Sequence, residues 1–402
     1  MRCERLFILL SAGLLAVLTV TPAIAAPGDS ATEGVGTASV GSPATIVSPG
    51  CNFAEASADA VPAASGANSS RGFASFGGDN CPRPLWSGRL TYFAGAGAPW
   101  FTQVTPYYGR VLAASNDSTG TWVLFSTATG IYLGKRTMTG TFATPARLST
   151  RGNGGAVLPS GDLVTEGGRY WAAWTEQVGP GGEFAQTDIF QAKTIGVGQC
   201  LSAPITRRQV TFLTRHDDSP TLVLVPAAAG ASGAHIAWSR NDGARGESGW
   251  LMYGTADCTA QWGSFQNLNA VGGNYEPDMT RLGTIDYLAW THDSLSHEGS
   301  FPITGRVPPN GIFDGVSFGG GLQSDSTHLA VANADTVLVL TRTSDGRLGA
   351  WKGANLGWGF EYLTSAGLQQ QAEAVTTYGG AFTTFGISFA SDRLYSIQVT
   401  IP

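Results

Sequence analysis

A short apolar pattern recurs six times along this chain, and its period constrains the fold more than any other feature of the sequence. Each copy approximates the form apolar-x-apolar, then an aromatic residue or leucine, then usually threonine or serine. The aromatic residue or leucine falls at Phe125, Trp174, Trp238, Trp290, Leu340 and Phe385. The spacings of 49, 64, 52, 50 and 45 residues match a repeat that contains four short strands.

Repeats of this length are typical of β-propellers, in which each repeat forms one four-stranded blade. The composition agrees, since 55 glycines and only 13% charged residues suit many short strands joined by tight turns. The sequence therefore predicts an all-β fold, a β-propeller of six four-stranded blades over residues 83–402. A seven-bladed ring is the alternative.

The end of the chain indicates how the ring closes. The last repeat has a third strand over residues 393–399 and then stops, so it needs a fourth strand from elsewhere. Residues 88–93 and 99–104 have the pattern of a third and a fourth strand. We expect them to complete the last blade, which leaves no free sheet edge; counting them separately gives the seven-bladed alternative.

The first residues predict export. Arg2 and Arg5 precede an apolar run over residues 6–20, and the small residues Ala23 and Ala25 follow, so residues 1–25 are predicted to be a signal peptide. Residues 26–82, rich in alanine, serine and glycine, are predicted to form an arm before the propeller. No later segment is long and apolar enough to span a membrane. We expect a secreted monomer, extracellular or attached to the cell wall.

The cysteine pattern fits an oxidising compartment. Cys3 is removed with the signal peptide, which leaves Cys51, Cys81, Cys200 and Cys258 to form two disulfides. Four cysteines allow three pairings, and proximity in the sequence favours Cys51 with Cys81 and Cys200 with Cys258. The chain has 23 basic and 29 acidic residues with no concentration of lysine and arginine, so nucleic acid is not an expected partner.

These repeats resemble the sialidase-like propellers built from BNR-type repeats, over roughly residues 84–402. Residues 115–122, Ser-Asn-Asp-Ser-Thr-Gly-Thr-Trp, approximate the Asp-box S-x-D-x-G-x-T-W, with the glycine one place late. This segment lies between a first and a second strand, whereas the Asp-box of sialidases lies between the third and fourth. Residues 344–358 also resemble a blade of the tectonin-type sugar-binding propellers.

The sialidase resemblance implies a set of catalytic residues in the loops between second and third strands and in the connections between blades. Tyr275 and Glu276 are the candidate nucleophile and base, with Asp217 as a further carboxylate. Arginines that clamp a substrate carboxylate would be Arg215, Arg240 and Arg342. The alternative is that these charged side chains only face solvent.

Tryptophans have two interpretations, because aromatic rings both fill cores and stack on sugars. The tryptophans at the repeated position, 174, 238 and 290, are predicted to pack between blades, since periodic apolar positions belong to the core. Trp351 and Trp358, beside Asp345, are the candidates for a sugar-binding platform.

The histidine and carboxylate groups of the loops match no zinc or EF-hand spacing. We therefore expect no cofactor; calcium held by loop carboxylates is the alternative to a solvated turn. The sequence favours a glycan-binding or surface-interaction protein. The alternatives are an exo-glycosidase of sialidase type and a structural secreted protein that has no small-molecule site.

Overall fold

The computed structural model describes residues 39–40, 43–47, 54–60, 69–76, 88–96, 99–151, 159–179, 186–212, 216–225, 233–241, 249–263, 265–268, 273–293, 300–309, 311, 313–317, 324–333, 336–354, 357–364, 370–378, 381–388 and 393–400. These residues form 29 β-strands and one short 3-10 turn, Val197–Gln199. The all-β prediction is therefore confirmed. No helix in this part of the chain has the length and apolar character needed to cross a membrane.

The strands follow one another in groups of four. The chain begins with β1 (Ser39–Val40) and β2 (Ala44–Val47). The first three blades contain β3 (Ala54–Ala60), β4 (Ser70–Phe76), β5 (Arg89–Gly95), β6 (Phe101–Tyr108); β7 (Arg110–Asp117), β8 (Gly120–Thr127), β9 (Gly130–Thr137), β10 (Ala146–Ser149); and β11 (Gly161–Glu166), β12 (Arg169–Gln177), β13 (Thr187–Lys193), β14 (Ile205–Gln209).

The remaining blades continue the same order to the end of the chain. They contain β15 (His216–Leu224), β16 (Ala234–Asn241), β17 (Gly249–Ala256), β18 (Gln266–Asn267); β19 (Gly273–Leu282), β20 (Ile285–Asp293), β21 (Ser300–Val307), β22 (Asp314–Ser317); β23 (Ser324–Asn333), β24 (Thr336–Thr343), β25 (Leu348–Ala354), β26 (Gly357–Tyr362); and β27 (Gln370–Tyr378), β28 (Ala381–Ser388), β29 (Arg393–Thr400).

The strands form a closed β-propeller, which confirms the predicted fold. Hydrogen bonds connect them into six sheets, of which one has eight strands. That sheet holds two antiparallel four-stranded blades, linked by a single parallel residue pair, Thr187 with His216. The inner strands β3, β7, β11, β15, β19, β23 and β27 each contact the next, and β27 contacts β3. The ring therefore has seven blades, the count that the sequence left as the alternative to six.

The repeat that the sequence pattern did not reveal belongs to the first blade. The six recognised copies are the second strands β8, β12, β16, β20, β24 and β28, and the seventh is β4. Phe76 of β4 precedes Phe125 by 49 residues and is likewise buried. β3 and β4 lie within residues 26–82, for which the sequence predicts an arm. Small residues around Phe73 and Phe76 hide the strand pattern there, so the propeller begins earlier than residue 83.

The last blade takes its fourth strand from the amino-terminal side, as the ring-closure argument requires, but from a different segment. β29 pairs antiparallel with β1 and β2. The prediction that residues 88–104 fill this place is wrong, because β5 and β6 pair with each other inside the first blade. The contact between β29 and β1–β2 covers an edge that would otherwise be open.

Aromatic side chains pack between neighbouring blades. Trp174, Trp238 and Trp290 have no exposed surface, which confirms their predicted place in the core. Trp290, for example, lies in a cluster with Leu251 of β17 and Met279 of β19, so it joins two blades. Burying a tryptophan removes roughly 150–250 Å² from water. These contacts give the loops a rigid support.

One of the predicted disulfides lies in the described residues. Cys200 and Cys258 are bonded, and this bond ties the loop after β13 to the loop after β17, across two blades. The predicted pair Cys51 and Cys81 lies outside the described residues.

Two aspartates organise turns by accepting several hydrogen bonds. Asp117, in the Asp-box-like segment between β7 and β8, accepts from the Thr119 amide at 2.7 Å and from Trp122 Nε1 at 3.2 Å. Asp257 accepts from the Thr259 amide at 2.8 Å, in a turn between the third and fourth strands of its blade. The second turn, Thr-Ala-Asp-Cys-Thr-Ala-Gln-Trp over residues 255–262, was not recognised from the sequence. Both aspartates have structural roles.

Candidate functional site

The candidate site lies on one end of the propeller, which we call the connection face. In each blade the start of the first strand pairs with the end of the second: His216 with Asn241, and Gly273 with Asp293. The connections between blades and the loops between second and third strands therefore share this face. The candidate residues predicted from the sequence lie in these two classes of loop.

Three neighbouring inner strands carry an irregularity near this face. The register shifts in β15, β19 and β23, and Ser219, Glu276 and Ser326 have φ angles of 51°, 49° and 56°. Residues other than glycine rarely adopt positive φ, and such residues occur preferentially at functional sites. Register shifts also occur in β7 and β27, so the positive φ angles of Ser219, Glu276 and Ser326, and not the shifts themselves, mark one sector of the ring.

These bulges border a hydrophilic pocket of about 380 Å³, which we call the polar cavity. It is lined by Asp218, Ser219, Ser239, Asn241, Tyr275, Glu276, Thr291, Ser300, Ser326 and Arg342. It adjoins a cavity of about 580 Å³ on the propeller axis, and the three bulge residues line both. Hydroxyl, amide, carboxylate and guanidinium groups are the functional groups that hold a ligand rich in hydroxyl groups.

Two polar atoms of the lining are buried and unpaired. Ser239 Oγ and Asn241 Oδ1 have no hydrogen-bond partner among the described residues. Buried polar groups are nearly always hydrogen-bonded, so an exception needs an explanation such as a ligand or water. Leaving such an atom unpaired costs about 1–3 kcal/mol. A bound molecule that supplies the missing partners would recover this free energy.

Asp218 is held as an ionised carboxylate. It accepts hydrogen bonds from Ser160 Oγ, from Thr175 Oγ1 at 3.1 Å and from the Ser219 amide at 2.7 Å. His216 Nε2 lies 3.8 Å from Asp218 Oδ2. Burial by itself would raise the pKa of Asp218, but the interactions with His216, Ser160 and the Ser219 amide lower it below its ordinary value. This side chain can therefore accept hydrogen bonds from a ligand but is a poor proton donor.

The phenol of Tyr275 is neutral. Burial raises the pKa of Tyr275, and the negative charge of Asp293 raises it further. The hydroxyl group can donate a hydrogen bond to a ligand, whereas its use as a nucleophile requires a base to remove the proton. Glu276, the next residue, lines the same cavity.

The structure brings together Tyr275, Glu276 and Arg342 from the predicted catalytic set, because all three line the polar cavity. Arg342 is the one arginine among the described lining residues. The predicted Arg215 lies outside the described residues.

Asp217 and Arg240 are not part of this cavity, and they pair with each other. Arg240 Nε lies 2.6 Å from Asp217 Oδ1, and Nη2 lies 3.0 Å from Oδ2. Trp238 Nε1 also donates to Asp217, at 3.0 Å. Asp217 has no exposed surface. Because Arg240 is occupied in this pair, the predicted clamp does not include it.

The predicted sugar platform does not form around Trp351. This side chain is only 8% exposed and packs against Phe360 with ring centroids 5.0 Å apart. Asp345 forms an ion pair with Arg347 in the turn before β25, and the side chain of Trp358 is outside the description. Trp351 is therefore a core residue, because β25 places it between its own blade and the preceding one.

Ser239 and Asn241 were not among the site residues predicted from the sequence. Ser239 and Thr291 occupy the serine or threonine position directly after the repeated aromatic residue. That position lies near the end of the second strand at the connection face. The recurrence of a hydroxyl residue there was the available signal.

Carboxylates on the inner strands hold adjacent blades together around the axis. Asp162 accepts a hydrogen bond from the Leu222 amide of the next blade at 2.6 Å, and Asp278 accepts one from the Leu329 amide at 2.8 Å. Burial raises the pKa of Asp278 to about 7, and the nearby Asp162 contributes to this increase.

In the described parts of the chain no three His, Cys, Asp or Glu side chains are arranged to hold a metal ion.

Comparisons with known proteins find similarity in structure. No family model matches the sequence, and no curated protein gives a significant match. The GH93 α-L-arabinofuranosidase of Fusarium graminearum, solved with arabinobiose, has a TM-score of 0.51 at 10% identity, covering 90% of this chain and 98% of that one. The Penicillium chrysogenum α-L-arabinanase with arabinobiose has a TM-score of 0.48 at 13% identity, covering 91% and 99%.

The Trypanosoma rangeli sialidase with sialic acid has a TM-score of 0.42 at 10% identity, covering 91% of this chain and 59% of that one. At these identities the similarity shows a shared β-propeller fold and does not assign an activity.

Proposed function

We propose that this protein is a secreted carbohydrate-binding β-propeller whose polar cavity holds a neutral sugar. The observation that carries the proposal is a pair of buried atoms, Ser239 Oγ and Asn241 Oδ1, that have no partner among the described residues, in a cavity lined by hydroxyl and carboxylate side chains. Sugar hydroxyl groups both donate and accept hydrogen bonds, so they can pair with a serine hydroxyl and an amide oxygen at the same time.

The charge of the cavity favours a neutral ligand over an acidic one. Among its described lining residues, Asp218 and Glu276 are acidic and Arg342 is basic, so two acidic groups face one basic group there. Arg240, a member of the predicted carboxylate clamp, pairs with Asp217. An acidic sugar such as a sialoside would meet more repulsion than attraction here. A neutral sugar avoids that cost.

Two further observations support this proposal. The arabinofuranosidase that shares the fold was solved with arabinobiose, a neutral disaccharide. The Cys200–Cys258 disulfide suits an oxidising compartment outside the cytoplasm, in agreement with the predicted signal peptide.

Hydrolysis of a glycosidic bond is the second candidate function. Tyr275, Glu276 and Asp218 line one cavity, and glycosidases use two carboxyl groups that flank the scissile bond. The positive φ of Glu276, 49°, is a conformation that functional sites often retain. Both candidates use the same cavity, so one set of variants separates them.

The test measures binding of the purified protein to neutral oligosaccharides, beginning with arabinobiose and a neutral-glycan array, by isothermal titration calorimetry. Asn241→Ala removes an atom that has no hydrogen-bond partner in the described part of the chain, so we expect an unchanged melting temperature and binding weakened at least about tenfold. Asn267→Ala, on the exposed outer strand of the same blade, is the matched control and should bind normally.

The same oligosaccharides are then incubated with the protein and their reducing ends are measured. Release that Glu276→Gln abolishes would make the protein a glycosidase. Binding without release supports the carbohydrate-binding function. If no neutral sugar binds, or if Asn241→Ala binds as tightly as the parent, the proposal is wrong.

A further inference from the structure

A second cavity on the connection face is bordered by arginines. It has a volume of about 390 Å³ and lies between the outer strands of the second and third blades. Arg147, Arg151 and Arg207 line it together with Leu148, Ser149 and Thr150. We call it the arginine cavity. None of its described lining residues belongs to the polar cavity.

Backbone carbonyl groups orient two of the arginines. Arg147 Nε donates to the Ser149 carbonyl at 3.2 Å, and its Nη2 donates to the carbonyl of Thr129. Arg151 Nη1 donates to the Gln177 carbonyl at 2.6 Å. These neutral acceptors fix the guanidinium groups without cancelling their charge. An arginine held in this way loses less conformational entropy when it binds an anion.

The third arginine, Arg207, is held in place by contacts on its buried side. Arg207 donates to Glu176 through Nε at 3.1 Å and Nη2 at 2.6 Å, and its guanidinium lies 4.0 Å from the centre of the Phe190 ring. Glu176 is buried, with 3% exposure, whereas the Arg207 side chain is 38% exposed. The carboxylate is thus below the surface and the guanidinium remains accessible.

The local charge contrasts with that of the whole chain. Among the described residues, three lining arginines and the buried carboxylate of Glu176 give the arginine cavity a surplus of two positive charges, while the protein has a formal net charge of −6. On an acidic protein, the rest of the surface repels anions, so a locally positive site determines where an anion binds. Guanidinium groups match the planar or tetrahedral oxygens of carboxylates and sulfates.

We propose that the arginine cavity binds an acidic polysaccharide through carboxylate or sulfate groups on neighbouring sugar units. The volume lies within the range of small-molecule sites, about 300–1,000 Å³, and is larger than one inorganic anion requires. Arg147 and Arg151 are exposed at the outer edge, so a chain can pass along the surface while its acidic groups contact the arginines. This site is independent of the proposed neutral-sugar site.

The test compares binding of the whole protein to immobilised polygalacturonate, dextran sulfate and neutral dextran by biolayer interferometry at several salt concentrations. We expect binding to at least one of the two acidic polymers, with an affinity that falls as salt rises. Arg147→Gln with Arg151→Gln should weaken it at least about tenfold through the loss of two charge-assisted contacts. The preferred polymer distinguishes carboxylate from sulfate recognition.

Arg208→Gln is the matched control. Arg208 lies on β14, the same outer strand as Arg207, but it donates to the Thr259 carbonyl, away from the cavity. It should bind as the parent does. Equal binding by the double variant, or no binding of the parent to either polymer, refutes the proposal. If inorganic sulfate competes with the polymer at an equal molar affinity, the cavity binds only a single anion, and the proposal is wrong. Asn241→Ala should keep acidic-polymer binding, so the two proposals fail separately.

Discussion

Replacing Asp217 with alanine tests whether Asp217 and Arg240 are structural or catalytic. In the structure Asp217 accepts from Arg240 Nε at 2.6 Å, from Arg240 Nη2 at 3.0 Å and from Trp238 Nε1 at 3.0 Å. Asp217 is fully buried, and the Arg240 side chain is 8% exposed. The alanine variant therefore leaves a guanidinium group and an indole N–H buried without their acceptor.

The expected loss of stability follows from these contacts. Removing one partner of a buried ion pair costs about 3–5 kcal/mol, and an unpaired indole N–H costs about 1–3 kcal/mol. The two costs share one acceptor and do not add fully, so we expect about 4 kcal/mol in total. With an unfolding entropy of about 2 cal/mol/K per residue over roughly 350 residues, the melting temperature should fall by about 5–6 °C.

The assay is differential scanning calorimetry of the parent, Asp217→Ala, and the double variant Asp217→Leu with Arg240→Met. The double variant removes both charges and fills the space with apolar atoms, so its loss should be about half of that of the single variant or less. Oligosaccharide binding should be unchanged in any folded variant. A melting temperature that stays constant while binding or turnover disappears would contradict the structural role and restore the catalytic assignment.

Two further predictions concern pH and redox state. The pKa of Asp278 is raised to about 7, so the folded state holds this proton more tightly than the unfolded chain does. The carboxyl group therefore contributes to stability below about pH 4, and this contribution is lost as the pH rises through 7. The side chain in Asp278→Asn cannot ionise. The difference between the melting temperatures of the variant and the parent (variant minus parent) should therefore increase from pH 4 to pH 7 and then level off. A difference that does not change with pH would contradict the raised pKa of Asp278. The Cys200–Cys258 bond spans 58 residues, so Cys258→Ser should lower the free energy of unfolding in urea by up to about 4 kcal/mol, and a reducing agent should affect the parent but not the variant.

The sequence was sufficient to predict the fold class, because packing between blades imposes the same requirement in every repeat. Each second strand places a large apolar residue between two sheets, and Trp174, Trp238 and Trp290 are fully buried there. A regular spacing of such residues is readable without coordinates. Proximity in the sequence also predicted the Cys200–Cys258 disulfide correctly.

The blade count depended on tertiary structure, because one repeat does not have the same composition. In β4 the residues around Phe73 and Phe76 are small, and the strand becomes recognisable only through its pairing with β3 and β5. Similarly, β1 and β2 complete the last blade although the local pattern of residues 88–104 was more strand-like. Sheet pairing between distant segments is decided by ring closure, which a local pattern does not encode.

The candidate site shows the same division between local and distant information. The sequence determined which loops contain charged residues, and the repeated strand register places those loops on one face. Only the three-dimensional arrangement decides where each charge lies: Arg240 pairs with the buried Asp217, and Arg342 lines the polar cavity. Residues far apart in the chain set the burial and the hydrogen-bond partners of each side chain, and these determine whether a charged group stabilises the fold or is available to a ligand.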